Sequence, residues 1–242
     1  PLVSSSAASD VYKRQLMETD IQHGPGASTA KVTLAPGVIT SESGAMIAMN
    51  GVNVKTTTHK RNSGSIFGGL KRMIGGESFF LNHYTAYDQG GEVWLATTLA
   101  GDMAEIEVEP STKIVVQSGS YVASEQGVDV GLDWQGFKSL FAKEGLFWIN
   151  MSGQGKAIIN SFGAIYSIDC DGDYIVDTGH IVAFEETLSF KLAKAGKSWI
   201  SSILGGEGLV CRFSGTGRIW VQSHHPANFG GALGPLLKPR KK

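Results

Sequence analysis

Three stretches of this sequence share one pattern, and that recurrence constrains the fold more than any other feature. Pro36–Lys55, Ser111–Gly131 and Gly172–Lys191 each contain a short β-branched run, then a Gly, then an Ala four residues later, then alternating residues. The Gly/Ala pairs are Gly44/Ala48, Gly119/Ala123 and Gly179/Ala183. Each stretch follows a segment that alternates polar and apolar residues: Ala30–Ala35, Ala104–Glu109 and Tyr166–Asp171. Alternation with period two marks a half-buried strand. Turn residues close each segment, at Pro36-Gly37, Pro110-Ser111 and Gly172-Asp173.

The pattern continues downstream. Phe67–Glu77, Phe137–Glu144 and Trp199–Glu207 are short apolar patches that end at a Glu beside a Gly, and they read as short helical connections. Strands follow at Ser78–Leu81, Leu146–Asn150 and Leu209–Phe213. Ser152–Ile159 then matches Ser214–Val221, with Gly91–Leu95 in the corresponding place of the first copy. The expected architecture is mainly all-β: three tandem β-sandwich repeats at 28–101, 102–164 and 165–223, and a Pro/Gly/Lys tail at 224–242. A unit of that size buries too little surface to be secure alone, and side-by-side stacking would cover its apolar faces and strand edges.

Composition agrees. Gly is the outlier, at 32 of 242 residues, as many tight turns require. A formal net charge of −1 gives no global attraction to nucleic acid or anionic membranes. Cys170 and Cys211 have no CxxC or metal spacing; they read as core thiols in a reducing compartment, with a single disulfide the alternative. No apolar run is long enough to span a bilayer. Residues 5–15 look like a translated sequencing adaptor, so 1–15 is expected to be an artefact, with the natural chain starting near Leu16 or Met17. Without an apolar or Arg-rich leader after Leu16, the expected location is cytoplasmic, with a peripheral association with a membrane as the variant.

The combination of segments resembles a widespread bacterial family related to the fungal "altered inheritance of mitochondria" protein of mitochondrial biogenesis. The residues that carry the likeness include Glu42–Met46, Gly69–Arg72, Gly75–Phe80, Gly119–Ser124, Val176–His180, Gly206–Val210, Arg218–Gln222 and Pro226–Pro235. The resemblance implies a fold similar to the tryptophan RNA-binding attenuation protein, three such units per chain, and a homotrimer forming a nine-unit ring. It implies no reaction, because none is established for the family.

The residues themselves offer little chemistry. Glu77, Glu144 and Glu207 recur once per unit, and Gly44, Gly119 and Gly179 mark the same place in each repeat; carboxylates a whole unit apart cannot converge on one substrate, so they read as structural markers. The glycines around Lys71 lack the order of a phosphate-binding loop. The histidines, including His180, His224 and His225, lack metal-ligand spacing, and no nucleophile elbow is present. No cofactor or metal is expected. The candidate binding residues are Phe67, Lys71, Arg72, Trp134, Lys138 and Trp199, basic side chains beside aromatics in or near the patches. On a ring they would form a multivalent surface for a membrane or a protein partner. The resulting expectation is a non-enzymatic oligomeric β scaffold. The alternatives are a ring that binds a small ligand or RNA, and an enzyme with its site between subunits.

Overall fold

A computed structural model describes residues 16–58, 80–131, 148–194 and 209–238. The alternating segments form antiparallel strands. β1 (Met17–Gln22) is followed by β2 (Thr29–Leu34), β3 (Gly37–Glu42), β4 (Met46–Asn50), β5 (Val52–Thr58), β6 (Phe80–Ala86) and β7 (Gly91–Leu95). Next come β8 (Met103–Val108), β9 (Ile114–Gln117), β10 (Tyr121–Glu125), β11 (Val128–Gly131), β12 (Trp148–Gly153) and β13 (Gly155–Asn160). β14 (Ile165–Asp177), β15 (Ile181–Glu185), β16 (Ser189–Lys194) and β17 (Leu209–Gln222) complete the sheets, and a short helix, α1 (Pro226–Leu233), follows.

One set of pairings occurs three times. β2 pairs β7, β3 pairs β6, β4 pairs β7 and β5 pairs β6. β8 pairs β13, β9 pairs β12, β10 pairs β13 and β11 pairs β12. The third set uses two long strands: β14 pairs β17 along its whole length, and β15 and β16 pair β17 as well. Each set is joined to the next by one strand pair, β3 to β10 and β9 to β15.

The sequence predicts a turn at Gly172-Asp173, and the structure corrects this. β14 passes straight through Gly172, which lies opposite Gly215 of β17. Pro36 and Pro110 stand at the corresponding places between β2 and β3 and between β8 and β9. Proline has no N–H to give to a ladder, so pairing stops there. Gly172 keeps its N–H and bends at φ +109°, with Gly215 at +116°, so the ribbon curves without breaking.

The sheets run in the orders β1-β2-β7-β4, β5-β6-β3-β10-β13-β8 and β11-β12-β9-β15-β17-β14. Inward residues of successive sheets interlock. Met17, Val32, Leu34, Val93 and Leu95 of the first sheet share a core with Tyr84, Val122 and Ile158 of the second. Ile106, Val108, Tyr121 and Ile159 of the second sheet share another with Met151, Val182 and Trp220 of the third. Each fully buried Val, Leu or Ile contributes about 1.5–3 kcal/mol. Tyr121, wholly buried, donates its hydroxyl to Thr40 O at 3.1 Å and lies 2.9 Å from Ser124 Oγ, which fastens β10 to β3.

Candidate functional site

The strand pairs that join the sets have a fixed register. Ala123 lies opposite Ser41 and Ser124 opposite Thr40; in the next junction Ala183 lies opposite Val116 and Phe184 opposite Val115. A register shift marks the start of each receiving strand, at Tyr121/Ala123 and Ile181/Ala183. β4 carries the same shift, at Met46/Ala48. Yet among the described residues β4 pairs only β7, and the 173–177 half of β14 pairs only β17. Both edges expose apolar residues. Met46, Ile47 and Met49 are 40%, 54% and 41% accessible, and Tyr174 and Ile175 are 44% and 54%. Their counterparts in the two internal junctions, Val122, Phe184, Ile114 and Val115 among them, are buried.

A second feature lies at the margin between the second and third sheets. A groove of about 560 Å³ runs along β8, lined by Ala104, Glu105, Glu107 and Glu109 on one side and by Tyr166 and Glu185 among others on the opposite side. The corresponding margin between the first and second sheets is covered by β1. That strand pairs β2 from Met17↔Leu34 to Gln22↔Thr29, and the Met17 main-chain N–H donates to Glu125 Oε1 at 3.1 Å. β1 is a strand that the alternation in 17–22 did not reveal: only Met17 is buried, while Thr19 and Ile21 are half-buried.

His180, His225 and the two cysteines make contacts within the fold. His225 Nδ1 accepts the N–H of Ala227 and caps α1, while its Nε2 lies 3.7 Å from Asp177. His180 packs edge-on against His225 and lies 2.7 Å from Gln222 O through Nδ1. Among the described residues no His/Cys/Asp/Glu group is placed to hold a metal. Cys170 and Cys211 are both free and buried, so the disulfide alternative does not occur. Burial pushes the Cys211 thiol up to about 12; burial, then Asp171 and Asp173, raises that of Cys170.

Phe67, Lys71, Arg72, Trp134, Lys138 and Trp199 lie outside the described residues, and so do Glu77, Glu144 and Glu207. The repeat-marker glycines lie within them. Gly44 takes φ +96° between β3 and β4. Gly119 and Gly179 sit in single 3-10 turns before β10 and β15. No helix is long and apolar enough to cross a membrane among the described residues.

The family model for Mitochondrial biogenesis AIM24 matches residues 19–224. The chain belongs to the AIM24 family. A relative from Streptococcus pyogenes serotype M6, Uncharacterized protein M6_Spy0233, is 28% identical over 226 residues, covering 90% of this chain and 85% of the relative. The crystal structure of protein SPYM3_0169 from Streptococcus pyogenes has a TM-score of 0.73 at 26% identity, covering 91% of this chain and 100% of the other. The AIM24 match spans both open edges and the groove, whereas α1 lies beyond it.

Proposed function

We propose that this AIM24-family protein is a non-enzymatic assembly scaffold whose chains join head to tail, β4 of one chain adding to the 173–177 edge of the next. One observation carries the reading: the apolar residues exposed on β4 and on 173–177 occupy positions whose apolar counterparts, Val122, Val182, Phe184, Ile39, Ile114 and Val115, are buried where an internal junction supplies a partner strand. A long unpaired apolar edge is a liability that proteins normally cover or charge. Carried onto the free edges, the internal register sets Ala48 opposite Val176, Met49 opposite Ile175 and Asn50 opposite Tyr174. Such an interface is heterologous, and it closes into a ring when the rotation per chain divides the circle. A ring of three chains, each made of three β units like those of the tryptophan RNA-binding attenuation protein, is the assembly the family resemblance implies. The contacts with a membrane, a protein partner or RNA expected from Lys71, Arg72, Lys138 and their aromatic neighbours would then sit on a multivalent platform.

The test is the native mass of the full chain across low-micromolar concentrations. Three chain masses are expected. A stable monomer at these concentrations would overturn the reading, and an unbounded ladder of masses would replace the ring with a filament.

A further inference from the structure

We propose that the groove between β8 and β14 receives an extended, basic peptide segment of a partner protein, which adds to β8 as an extra strand in the way β1 adds to β2. The groove lies within one chain, so this does not depend on the assembly above.

β1 shows what the site takes. β2 and β8 occupy equivalent places, since each pairs the last strand of its set in the same register: Leu34 lies opposite Gly91 and Val108 opposite Gly155. The outer edge of β2 is paired by β1, whereas β8 pairs only β13 among the described residues. Ala30 and Val32 beneath β1 are fully buried; the equivalent Ala104 is half-buried, and Ile106 keeps slight exposure. The carboxylates at the groove's far side match too. Glu125 accepts Lys156 N–H through Oε2 and the Met17 N–H of β1 through Oε1. Glu185 accepts Arg218 N–H through Oε2 and lines the groove. It therefore stands ready to take the first main-chain N–H of an incoming strand. An exposed strand edge gives such a segment affinity through main-chain hydrogen bonds, and alternate side chains give it selectivity.

The charges specify the occupant. In the covered margin Asp20 of β1 lies opposite Lys31 and Glu18 opposite Thr33. In the open one, Glu105 stands in the place of Lys31 and Glu107 in that of Thr33, with Glu109 beyond. Lys156 neutralises Glu105 at 2.5 Å and Arg218 is held by Asp169 at 2.7 Å, which leaves the acidic character of Glu107, Glu109 and Glu185 facing the groove. The fitting segment alternates apolar or small inward residues, as Met17, Thr19 and Ile21 do, with outward Lys or Arg where β1 has Glu18 and Asp20. Opposite charges placed directly across a strand pair add to the pairing and like charges oppose it.

The experiment titrates full-length protein with a capped peptide, Met-Lys-Thr-Lys-Ile-Gln, followed by fluorescence anisotropy and by amide hydrogen exchange. Saturable binding is expected, with new protection at residues 103–108 rather than 29–34. The parent sequence Met-Glu-Thr-Asp-Ile-Gln should bind at least about tenfold more weakly, and Glu107→Lys with Glu109→Lys should reverse that preference. A basic peptide N-methylated at alternate amides keeps its charge but cannot pair with an edge, and its binding should be lost. Equal binding of the N-methylated peptide would reduce the site to charge attraction and overturn the proposal. So would an unchanged affinity in the doubly substituted protein, or no saturation below about 1 mM.

Discussion

The carboxylate of Glu125 holds the main-chain N–H of Met17 at 3.1 Å, so a residue at the end of β10 fixes the first residue of a strand in the neighbouring sheet. The same carboxylate takes Lys156 N–H at 2.9 Å. Glu125→Ala removes the carboxylate that accepts from two main-chain donors. It should destabilise the protein by about 1–3 kcal/mol, with hydrogen exchange rising first in residues 17–22. Met17→Ala removes a fully buried side chain from the core shared by the first two sheets and should cost about 2–5 kcal/mol. Urea unfolding and peptide-resolved exchange measure both; unchanged exchange in β1 for Glu125→Ala would mean that the strand is held by β2 alone.

Cys211 provides a test by pH. Burial pushes its thiol up to about 12 from an ordinary value near 9. Its contribution is full below the unfolded pKa, where both states keep the proton. As pH rises past about 9 the unfolded chain ionises first, so stability should fall between about pH 9 and 12. Cys211→Ser, or a small apolar residue there, separates this group from the tyrosines and lysines that titrate nearby in pH. In the native protein Cys211 should react with a thiol reagent at pH 8 only at the rate of opening, far more slowly than in denaturant. Rapid labelling without denaturant would contradict the burial.

Gly179 and His225 predict a local effect. A Cβ on Gly179 would come within 1.9 Å of His225 Nε2, the ring that caps α1. Gly179→Ala must expel that ring, because a rigid imidazole against a tight 3-10 turn cannot give by that amount. Loss of the cap costs about 1 kcal/mol, and α1, which has no buried residue, is otherwise held by Phe229 packing edge-on against Phe162. Exchange should therefore rise across 226–233 with little change in β15. His225→Ala should reproduce the loss, and in that background Gly179→Ala should add little.

What the sequence made visible follows from how local its signals are. Ala30, Val32 and Leu34 alternate with polar residues, and burial follows that alternation residue by residue in β2. Gly44, a repeat marker in the sequence, takes φ +96° between β3 and β4, which the repeat pattern alone does not state. Partner choice is not local: nothing within Tyr121–Glu125 says that it pairs with β3, far back in the chain. Gly172 reads as a turn because glycine favours turns, yet it also bends a paired ribbon without removing a donor, and here that second property applies. The composition of Met46, Ile47, Ala48 and Met49 marks apolar residues without saying what covers them, and it does not reveal that Met46, Ile47 and Met49 are exposed. The binding residues expected at Phe67, Lys71, Arg72, Trp134, Lys138 and Trp199 fall outside the described residues, so the candidate site rests on features that sequence periodicity did not signal.

The proposed junction makes a register-specific prediction. If β4 of one chain adds to 173–177 of another as the internal strands do, Met49 lies directly opposite Ile175, as Phe184 lies opposite Val115. Directly opposed residues of an antiparallel pair have Cβ atoms about 4.5–5.5 Å apart, at the upper limit of what a disulfide bridges, and a one-residue slip moves the side chain to the other face. Chains carrying Met49→Cys, mixed with chains carrying Ile175→Cys, should therefore cross-link on mild oxidation. Met49→Cys with Tyr174→Cys should not, because those side chains leave opposite faces of the strands. Cys170 and Cys211 are buried and should not compete. Met49→Lys should dissociate the assembly into folded monomers, since the residue is exposed in the single chain and its replacement costs the monomer little. Cross-linking of the off-register pair with equal yield would mean random collision, and an intact oligomer in Met49→Lys would place the subunit contact elsewhere.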